Sequence, residues 1–195
     1  IQLSLPMARL EFVDAATAAA FNLYAGAEMA EKPHLLFELH GSEQSVAEHA
    51  HSFGEICSAV GGEAFQWSSQ TEERTALWTL RHNAYYAILA SRPGARAIVT
   101  DICVPISRLA EAVEETRADI AASPITGPIL GHVGDGNFHA ILLIDPDNAA
   151  EHSAALRLSD RMVDRAMHLG GTATGEHGVG MGKLKFMDQE HGPAW

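Results

Sequence analysis

Hydrophobic and polar positions along the chain follow two different periods, which predict a succession of strands and helices. Apolar residues at every second position indicate a strand, and those at every third or fourth position indicate a helix. The predicted strands are Met7–Val13, Leu35–His40, Glu63–Trp67, Ala95–Val104, Ile129–Val133 and Phe138–Ile144. The predicted helices are Ala15–Ala25, a helix that begins after Ser42 and ends at Gly61-Gly62, Glu72–Leu89, Ile106–Ala121 and Ala149–Leu169.

The fold class follows from how the strand residues alternate. Leu35, Phe37 and Leu39 are apolar, whereas Glu38 and His40 between and after them are polar. This alternation is typical of an antiparallel sheet with one face toward solvent. No linker-like composition interrupts the series of elements. We therefore expect one domain over residues 1–195, of the α+β class, with a mostly antiparallel sheet and helices packed on one of its faces.

Composition narrows the possible partners and compartments. The 195 residues are 47% hydrophobic, enough for one sizeable core, and their formal net charge is −12 without any basic stripe. Nucleic acid is therefore not an expected partner. No apolar run approaches the roughly 20 residues of a membrane span. The two cysteines, Cys57 and Cys103, indicate free thiols in a reducing compartment such as the cytoplasm. Because the chain opens at Ile1 without methionine, we expect a fragment of a longer protein.

A predicted hairpin carries the first group of chemically useful residues. Gly134-Asp135-Gly136-Asn137 supplies the turn, because Gly, Asp and Asn accept the left-handed conformations that tight turns need. A four-residue turn places His132 opposite His139, with both side chains on one face and their Cβ atoms about 5 Å apart. Such a pair is half of a metal site and lacks a carboxylate or third imidazole. The alternative is two unrelated histidines, each satisfied by hydrogen bonds.

A glycine-rich segment near the end of the chain supplies a candidate for the missing ligand. Glu176-His177 stands between Gly175 and Gly178, within a run that also contains Gly180 and Gly182. Glycines permit unusual backbone conformations and close approach by another group. A carboxylate beside an imidazole on this loop could serve as ligand and base together. Neutral imidazole and carboxylate suit Zn²⁺, Mn²⁺ or Fe²⁺. The alternative is a flexible polar loop that follows a helix.

Three phrases of the sequence resemble one known family. They are Gly131-His132-Val133-Gly134-Asp135-Gly136-Asn137-Phe138-His139, Thr174-Gly175-Glu176-His177-Gly178-Val179-Gly180-Met181-Gly182-Lys183, and Leu77-Trp78-x-x-Arg81-His82-Asn83. Together they are similar to the C-terminal domain of FAD-linked oxidases, which include D-lactate, glycolate and D-2-hydroxyglutarate dehydrogenases. The wording is nearest to the D-lactate branch. The resemblance implies a ferredoxin-like fold, and an FAD held by a separate N-terminal domain that this sequence does not contain, since no G-x-G-x-x-G opens a βαβ unit. The family's usual closing segment is also missing after Trp195.

The resemblance also implies roles for individual residues. His132, His139 and Glu176 match the family's divalent-metal ligands, and His177 matches its general base. Arg81 matches the anchor of the substrate carboxylate, on a predicted helix where Trp78, Arg81 and Tyr85 share a face. Asp135 and Asn137 are expected first as turn formers, and either could orient a ligand histidine from behind.

The implied activity is oxidation of a small 2-hydroxy acid, with hydride transfer to FAD and onward transfer to an electron acceptor. The second basic anchor of the D-2-hydroxyglutarate enzymes aligns with apolar Val99, which favours a monocarboxylate such as D-lactate or glycolate. We expect a cytoplasmic location, which could be peripheral to a membrane, or a mitochondrial location if the protein is eukaryotic. Two other classes use the same residues. One is a free-standing divalent-metal-binding module, and the other is a metal-dependent hydrolase.

Overall fold

The computed structural model describes residues 5–63 and 65–193. Within these ranges the strands are β1 (Met7–Val13), β2 (His34–Leu39), β3 (Arg96–Val99), β4 (Ile102–Cys103), β5 (Ile129–Gly131) and β6 (Asn137–Ile144). The helices are α1 (Ala15–Ala25), α2 (Glu43–Ala59), α3 (Thr71–His82), α4 (Ala84–Ala90), α5 (Leu109–Ala121), α6 (Ala149–His168) and α7 (Met187–His191). Short 3₁₀ turns at Ile106–Arg108 and Leu184–Phe186 precede α5 and α7.

The strands form one antiparallel sheet in the order β2-β1-β5-β6-β3, and β4 also pairs with β6. Each of the described strand pairs is antiparallel. The predicted α+β class with an antiparallel sheet is therefore confirmed. Among the helices within residues 5–63 and 65–193, none has the length and apolar character to cross a membrane.

The helices cover both faces of the sheet, so the prediction that they pack on one face was wrong. Leu142 and Ile144 of β6 pack in a core cluster with residues of α5 and α6. Ile141 and Leu143 of the same strand belong to a second cluster with residues of α1 and α4. The prediction came from the alternation in β2, which is an edge strand. Strand β6 lies inside the sheet and is buried along its whole length, as its nearly continuous apolar sequence requires.

Side-chain caps explain why several predicted helix ends were correct. The Asp14 carboxylate accepts the Thr17 N–H at 2.8 Å where α1 begins, and Gly26 adopts φ 62° where α1 ends. The Ser42 hydroxyl caps α2 in the same way, and Asn148 caps α6. Each cap satisfies an N–H group that has no partner inside the helix.

Two predicted elements are each divided in two. The predicted helix Glu72–Leu89 breaks at Asn83 into α3 and α4, because Asn favours local turns over helix interiors. The predicted strand Ala95–Val104 divides into β3 and β4, because the Thr100 hydroxyl takes the Ala140 N–H at 2.7 Å in place of a backbone carbonyl. Residue 64 of the predicted strand Glu63–Trp67 lies outside the described residues. The other four residues of this segment do not form a strand. Phe65 instead packs as a loop residue against the rings of Phe37 and Phe53.

The hairpin forms, but the predicted register between its strands was wrong by two residues. His139 lies opposite Leu130 rather than opposite His132. The connecting loop spans residues 132–136, and within it the Gly134 N–H donates to the Leu10 carbonyl of β1 at 3.2 Å. The chain after Gly131 therefore follows β1 instead of continuing along β6. A shift of two residues keeps side chains on the same face, so both histidines still point to the same side.

Candidate metal and substrate site

His132, His139 and Glu176 converge at the end of the sheet, on the face that packs against α1 and α4. The Nε2 atoms of His132 and His139 lie 3.3 Å and 3.2 Å from Glu176 Oε1. One ligand atom from each of the three residues lies within 4.8 Å of the other two. The structure thus brings together the three residues that the sequence predicted as metal ligands.

Glu11 holds the His132 ring from the opposite side. Its Oε1 lies 2.6 Å from His132 Nδ1, because β1 and β5 pair in a register that, continued by one residue, sets Glu11 beside His132. A carboxylate can only accept, so Nδ1 carries the proton, and in the neutral form of the ring the lone pair is on Nε2, on the side of Glu176. The hydrogen bond to Glu11 raises the pKa of His132.

His139 is oriented in the same sense by the backbone. Its Nδ1 donates to the Thr100 carbonyl at 3.0 Å, which leaves Nε2 facing Glu176. The side chain is only 8% exposed. Burial lowers the pKa of His139, and this effect exceeds the opposing effects of Thr100 and Asp101. The ring is therefore held neutral near pH 7, which is the form that binds a metal.

This arrangement fits a divalent cation. The Nε2 atoms of the two imidazoles lie on either side of one carboxylate oxygen, and in their neutral forms both can donate a lone pair to a cation placed between them. Each ring donates a hydrogen bond from Nδ1 to an oxygen, as metal-binding histidines generally do from the nitrogen that does not bind the metal. A second group, formed by Asp101, His139 and His177, also has donor atoms close together. It fits a cation poorly, because both Asp101 oxygens already accept hydrogen bonds from the protein.

His177 lies beside the three candidate ligands and remains accessible. Its ring stacks on that of His139, with centroids 5.0 Å apart and planes inclined by 14°. Its Nε2 is 3.6 Å from Glu176 Oε1, and half of the side chain is exposed. A small molecule bound next to the ligands would therefore reach this nitrogen.

Asp101 anchors the loop that carries Glu176 and His177. Its Oδ2 accepts the N–H groups of Gly175 and His177, both at 2.9 Å, and its Oδ1 accepts the Glu176 N–H at 3.1 Å. Burial alone would raise the pKa of Asp101, but the hydrogen bonds from His177, Asn137 and Glu176, with Lys183 nearby, outweigh it and lower the pKa to about 2. Asp101 is therefore a carboxylate anion over the whole neutral range.

Arg81 lies behind the site, at the end of α3. Its Nη2 forms an ion pair of 2.7 Å with Glu11 Oε2, and its side chain is 14% exposed. Glu11 therefore bridges Arg81 and His132. Among the described residues, no acceptor faces the buried Arg81 Nε. The predicted common face with Tyr85 does not form, because the break at Asn83 places Tyr85 on α4, where it packs edge-on against Tyr86.

The two residues expected to orient ligand histidines make other contacts. Asn137 donates through Nδ2 to Asp101 Oδ1 at 2.9 Å and to the Ile102 carbonyl at 2.8 Å, so it steadies the loop anchor. Asp135 contributes backbone contacts: its N–H donates to the His132 carbonyl at 2.9 Å, and its carbonyl accepts from Cys103 Sγ at 3.3 Å. In the part of the chain described, the groups that bind the histidine Nδ1 atoms are Glu11 and Thr100.

Sequence reasoning did not identify Glu11, Thr100 or Asp101 as site residues. A signal existed for Glu11, because it shares strand parity with buried Val13, and a carboxylate on the inward face of a strand needs a partner. No local pattern marks the Thr100 carbonyl or the Asp101 carboxylate. Both act only because β3 and β4 lie beside β6.

Residues 1–195 match the family described as FAD linked oxidases, C-terminal domain. The chain belongs to this family. It is 44% identical over 99% of its length to a probable mitochondrial D-lactate dehydrogenase of Danio rerio, and covers 39% of that protein. It is 31% identical over 94% of its length to the glycolate oxidase subunit GlcD of Bacillus subtilis, and again covers 39% of that protein. The chain thus spans about two fifths of the length of these relatives.

A solved structure has the same fold. The 4-ethylphenol oxidase from Gulosibacter chungangensis, in its isoeugenol complex, superimposes with a TM-score of 0.60 over 85% of this chain and 39% of that one. Sequence identity is 11%, so this likeness concerns the fold alone.

Proposed function

We propose that this chain is the substrate- and metal-binding domain of a flavin-dependent D-2-hydroxyacid dehydrogenase. D-lactate or a similar small 2-hydroxy monocarboxylate is the proposed substrate, and the product is the 2-oxo acid. The proposal rests chiefly on the convergence of His132, His139 and Glu176 beside an accessible His177. The D-lactate dehydrogenase and glycolate oxidase relatives support the class of substrate.

Each residue has a distinct part in the proposed chemistry. His132, His139 and Glu176 hold a divalent cation, Zn²⁺, Mn²⁺ or Fe²⁺, which supplies Lewis acidity at the substrate's 2-hydroxyl group. The flavin of a separate domain supplies the acceptor for the hydride from C2. His177 takes the hydroxyl proton at Nε2, since this nitrogen lies at the edge of the ligand set and half of the ring is open to solvent.

Arg81 is the proposed anchor for the substrate carboxylate. Its Nη2 is already paired with Glu11, so the anchor uses the remaining guanidinium donors. Val99 is 37% exposed on β3 and places no second positive charge there, which favours a monocarboxylate over a dicarboxylate. Asn137 supports the site through Asp101, and Asp135 through the backbone of the loop that carries His132.

The proposed partners are a flavin-binding domain of the same protein and an electron acceptor that reoxidises the flavin. A mitochondrial location is proposed for a eukaryotic source, because the Danio rerio relative is named as mitochondrial.

Metal content tests the ligand set directly. The chain is purified without chelator, and bound metals are measured beside a His132→Ala/His139→Ala variant. The matched control is His51→Ala/His168→Ala, which removes two exposed histidines on α2 and α6. We expect one divalent ion per chain in wild type and control, and loss in the site variant. Equal content in all three proteins would remove the metal assignment.

Kinetics of a protein that also contains the flavin-binding domain test the two remaining roles. His177→Ala should lower kcat by about 10²–10⁴-fold with metal content intact, the usual contribution of a general base. Arg81→Ala should mainly raise KM, since a carboxylate held throughout the reaction is uniform binding. Arg81→Lys should restore only part of the wild-type KM, because an ammonium lacks the planar two-point contact.

With D-lactate deuterated at C2, flavin reduction should be slower than with unlabelled D-lactate. A hydrolase would show neither flavin dependence nor this isotope effect.

A further inference from the structure

The loop that carries Glu176 and His177 has no regular secondary structure of its own. Residues 173–183 follow the end of α6 and precede the 3₁₀ turn before α7 without forming part of a helix or strand. Glu176 and His177 are each about half exposed. Their contacts with the sheet are those to the rings of His132 and His139, so their positions also depend on how the backbone beneath them is held.

That backbone is held by one buried carboxylate. Three consecutive N–H groups, from Gly175, Glu176 and His177, converge on Asp101, whose side chain is only 2% exposed. Asn137 donates to the same carboxylate at 2.9 Å. Hydrogen bonds to a charged acceptor are about twice as strong as neutral ones, so this cluster outweighs ordinary loop contacts.

Two other residues, Gly175 and Lys183, support the contact between the loop and Asp101. A Cβ atom at Gly175 would overlap Asn137 Nδ2 and Asp101 Oδ1, so only glycine lets the backbone approach so closely. Lys183 closes the far end of the loop: its ammonium donates to the backbone carbonyls of Asp101 and Ala173 and lies 3.8 Å from Asp101 Oδ2. The loop is thus fastened to the β3–β4 junction at its beginning and at its end.

We propose that Asp101 is the positioning residue of the site, which fixes the backbone from which the ligand Glu176 and the base Nε2 of His177 project. This rests on the proposed function. Asp101 itself binds neither cation nor substrate, because both its oxygens face protein donors. The flanking strand pairs set Asp101 opposite His139, so one residue aligns the loop with the sheet that bears the histidine ligands.

The test is Asp101→Asn, which preserves size and removes one acceptor. Each Asp101 oxygen accepts at least one backbone N–H, so in either orientation the new amide NH₂ faces another donor and that hydrogen bond is lost. Asp14→Asn is the matched control, since Asp14 also accepts a backbone N–H but lies at the start of α1. Two quantities are measured on the 195-residue chain: hydrogen exchange of the Gly175–His177 amides, and Zn²⁺ affinity by chelator competition. We expect at least about tenfold faster exchange at these amides. We expect Zn²⁺ affinity to fall by about 10–100-fold, as for other residues that orient metal ligands.

The outcomes separate this proposal from the proposed function. Unchanged exchange, or faster exchange with unchanged Zn²⁺ affinity, overturns the positioning role. If the wild-type chain binds no Zn²⁺, Mn²⁺ or Fe²⁺, the proposed function fails, and the exchange rates still decide whether Asp101 holds the loop. If Asp101→Asn does not fold, Gly175→Ala replaces it. This variant pushes the loop off the carboxylate without changing charge, and it should produce the same two losses. Wild-type exchange and affinity in Gly175→Ala would overturn the proposal.

Discussion

Among the site residues, Glu11 is the one whose replacement by a neutral residue we expect to lower the free energy of unfolding most. Its carboxylate lies 2.7 Å from Arg81 and 2.6 Å from His132, and its side chain is 9% exposed. In Glu11→Gln the shape is kept, but the amide nitrogen must face either the guanidinium or the protonated Nδ1. Both of those groups are donors, so at least one of the two contacts is lost. Arg81 then remains largely buried without a counter-charge.

The size of the effect follows from this burial. Removing one partner of a buried ion pair costs about 3–5 kcal/mol, and a hydrogen bond to a charged group contributes about 1.5–3 kcal/mol. Arg81 keeps 14% of its side chain in water, which offsets part of the loss. We expect Glu11→Gln to lower the free energy of unfolding by about 2–3 kcal/mol. Adding Arg81→Met removes the orphaned charge, so the double variant should be at least about 1 kcal/mol more stable than the sum of the single effects.

The assay is urea unfolding of the metal-free chain, followed by far-UV circular dichroism. Glu114→Gln is the control, because its ion pair with Arg117 is exposed on α5 and its loss should leave stability unchanged. Two results would refute the reasoning. One is a Glu11→Gln variant as stable as the control, and the other is strict additivity of the Glu11 and Arg81 substitutions.

Three further predictions concern acid stability, flavin binding and the hairpin. The pKa of Asp101 is lowered from 3.8 to about 2, so the ionised carboxylate stabilises the fold fully above pH 3.8, and this stabilisation is lost as the pH falls through about 2. Urea titrations over this pH range should show that the free energy of unfolding falls by about 2 kcal/mol more in the wild type than in Asp101→Asn. The 195-residue chain alone should bind no FAD and oxidise no hydroxyacid, and stoichiometric yellow protein after reconstitution would contradict this. Gly131→Ala places a Cβ atom 2.5 Å from Phe138 Cα and should lower the free energy of unfolding by about 1–3 kcal/mol, whereas Gly182→Ala, with open space around it, should not.

Much of the fold was predictable because its signals are local. The Asp14 and Ser42 caps, the apolar stripe of α6 and the glycine-rich turn after Gly131 each act within a few residues. The proximity of His132 and His139 was also predictable, since the two side chains remain on one face even when the register shifts by two.

The remaining features depend on contacts between distant parts of the chain. The register of β5 and β6 is decided by the hydrogen bond from Gly134 to Leu10, which no hairpin rule contains. The coverage of both sheet faces depends on where β6 sits in the strand order. Asp101 lies between Thr100 and Ile102 with no local pattern that marks it, and the loop N–H groups that it binds lie 74 to 76 residues away.

The sequence separation of the site residues has a consequence for biosynthesis. Glu11 orients a histidine 121 residues further along the chain, and the candidate carboxylate ligand comes 37 residues after the second histidine (139 to 176). Because a polypeptide emerges from its N-terminus, a ribosome-bound chain ending before Glu176 presents only the two histidines of the hairpin. If the three residues hold a cation as proposed, such a chain would hold it poorly. Metal capture would then wait until Glu176 has been synthesised, and products truncated before this residue would lack the ion.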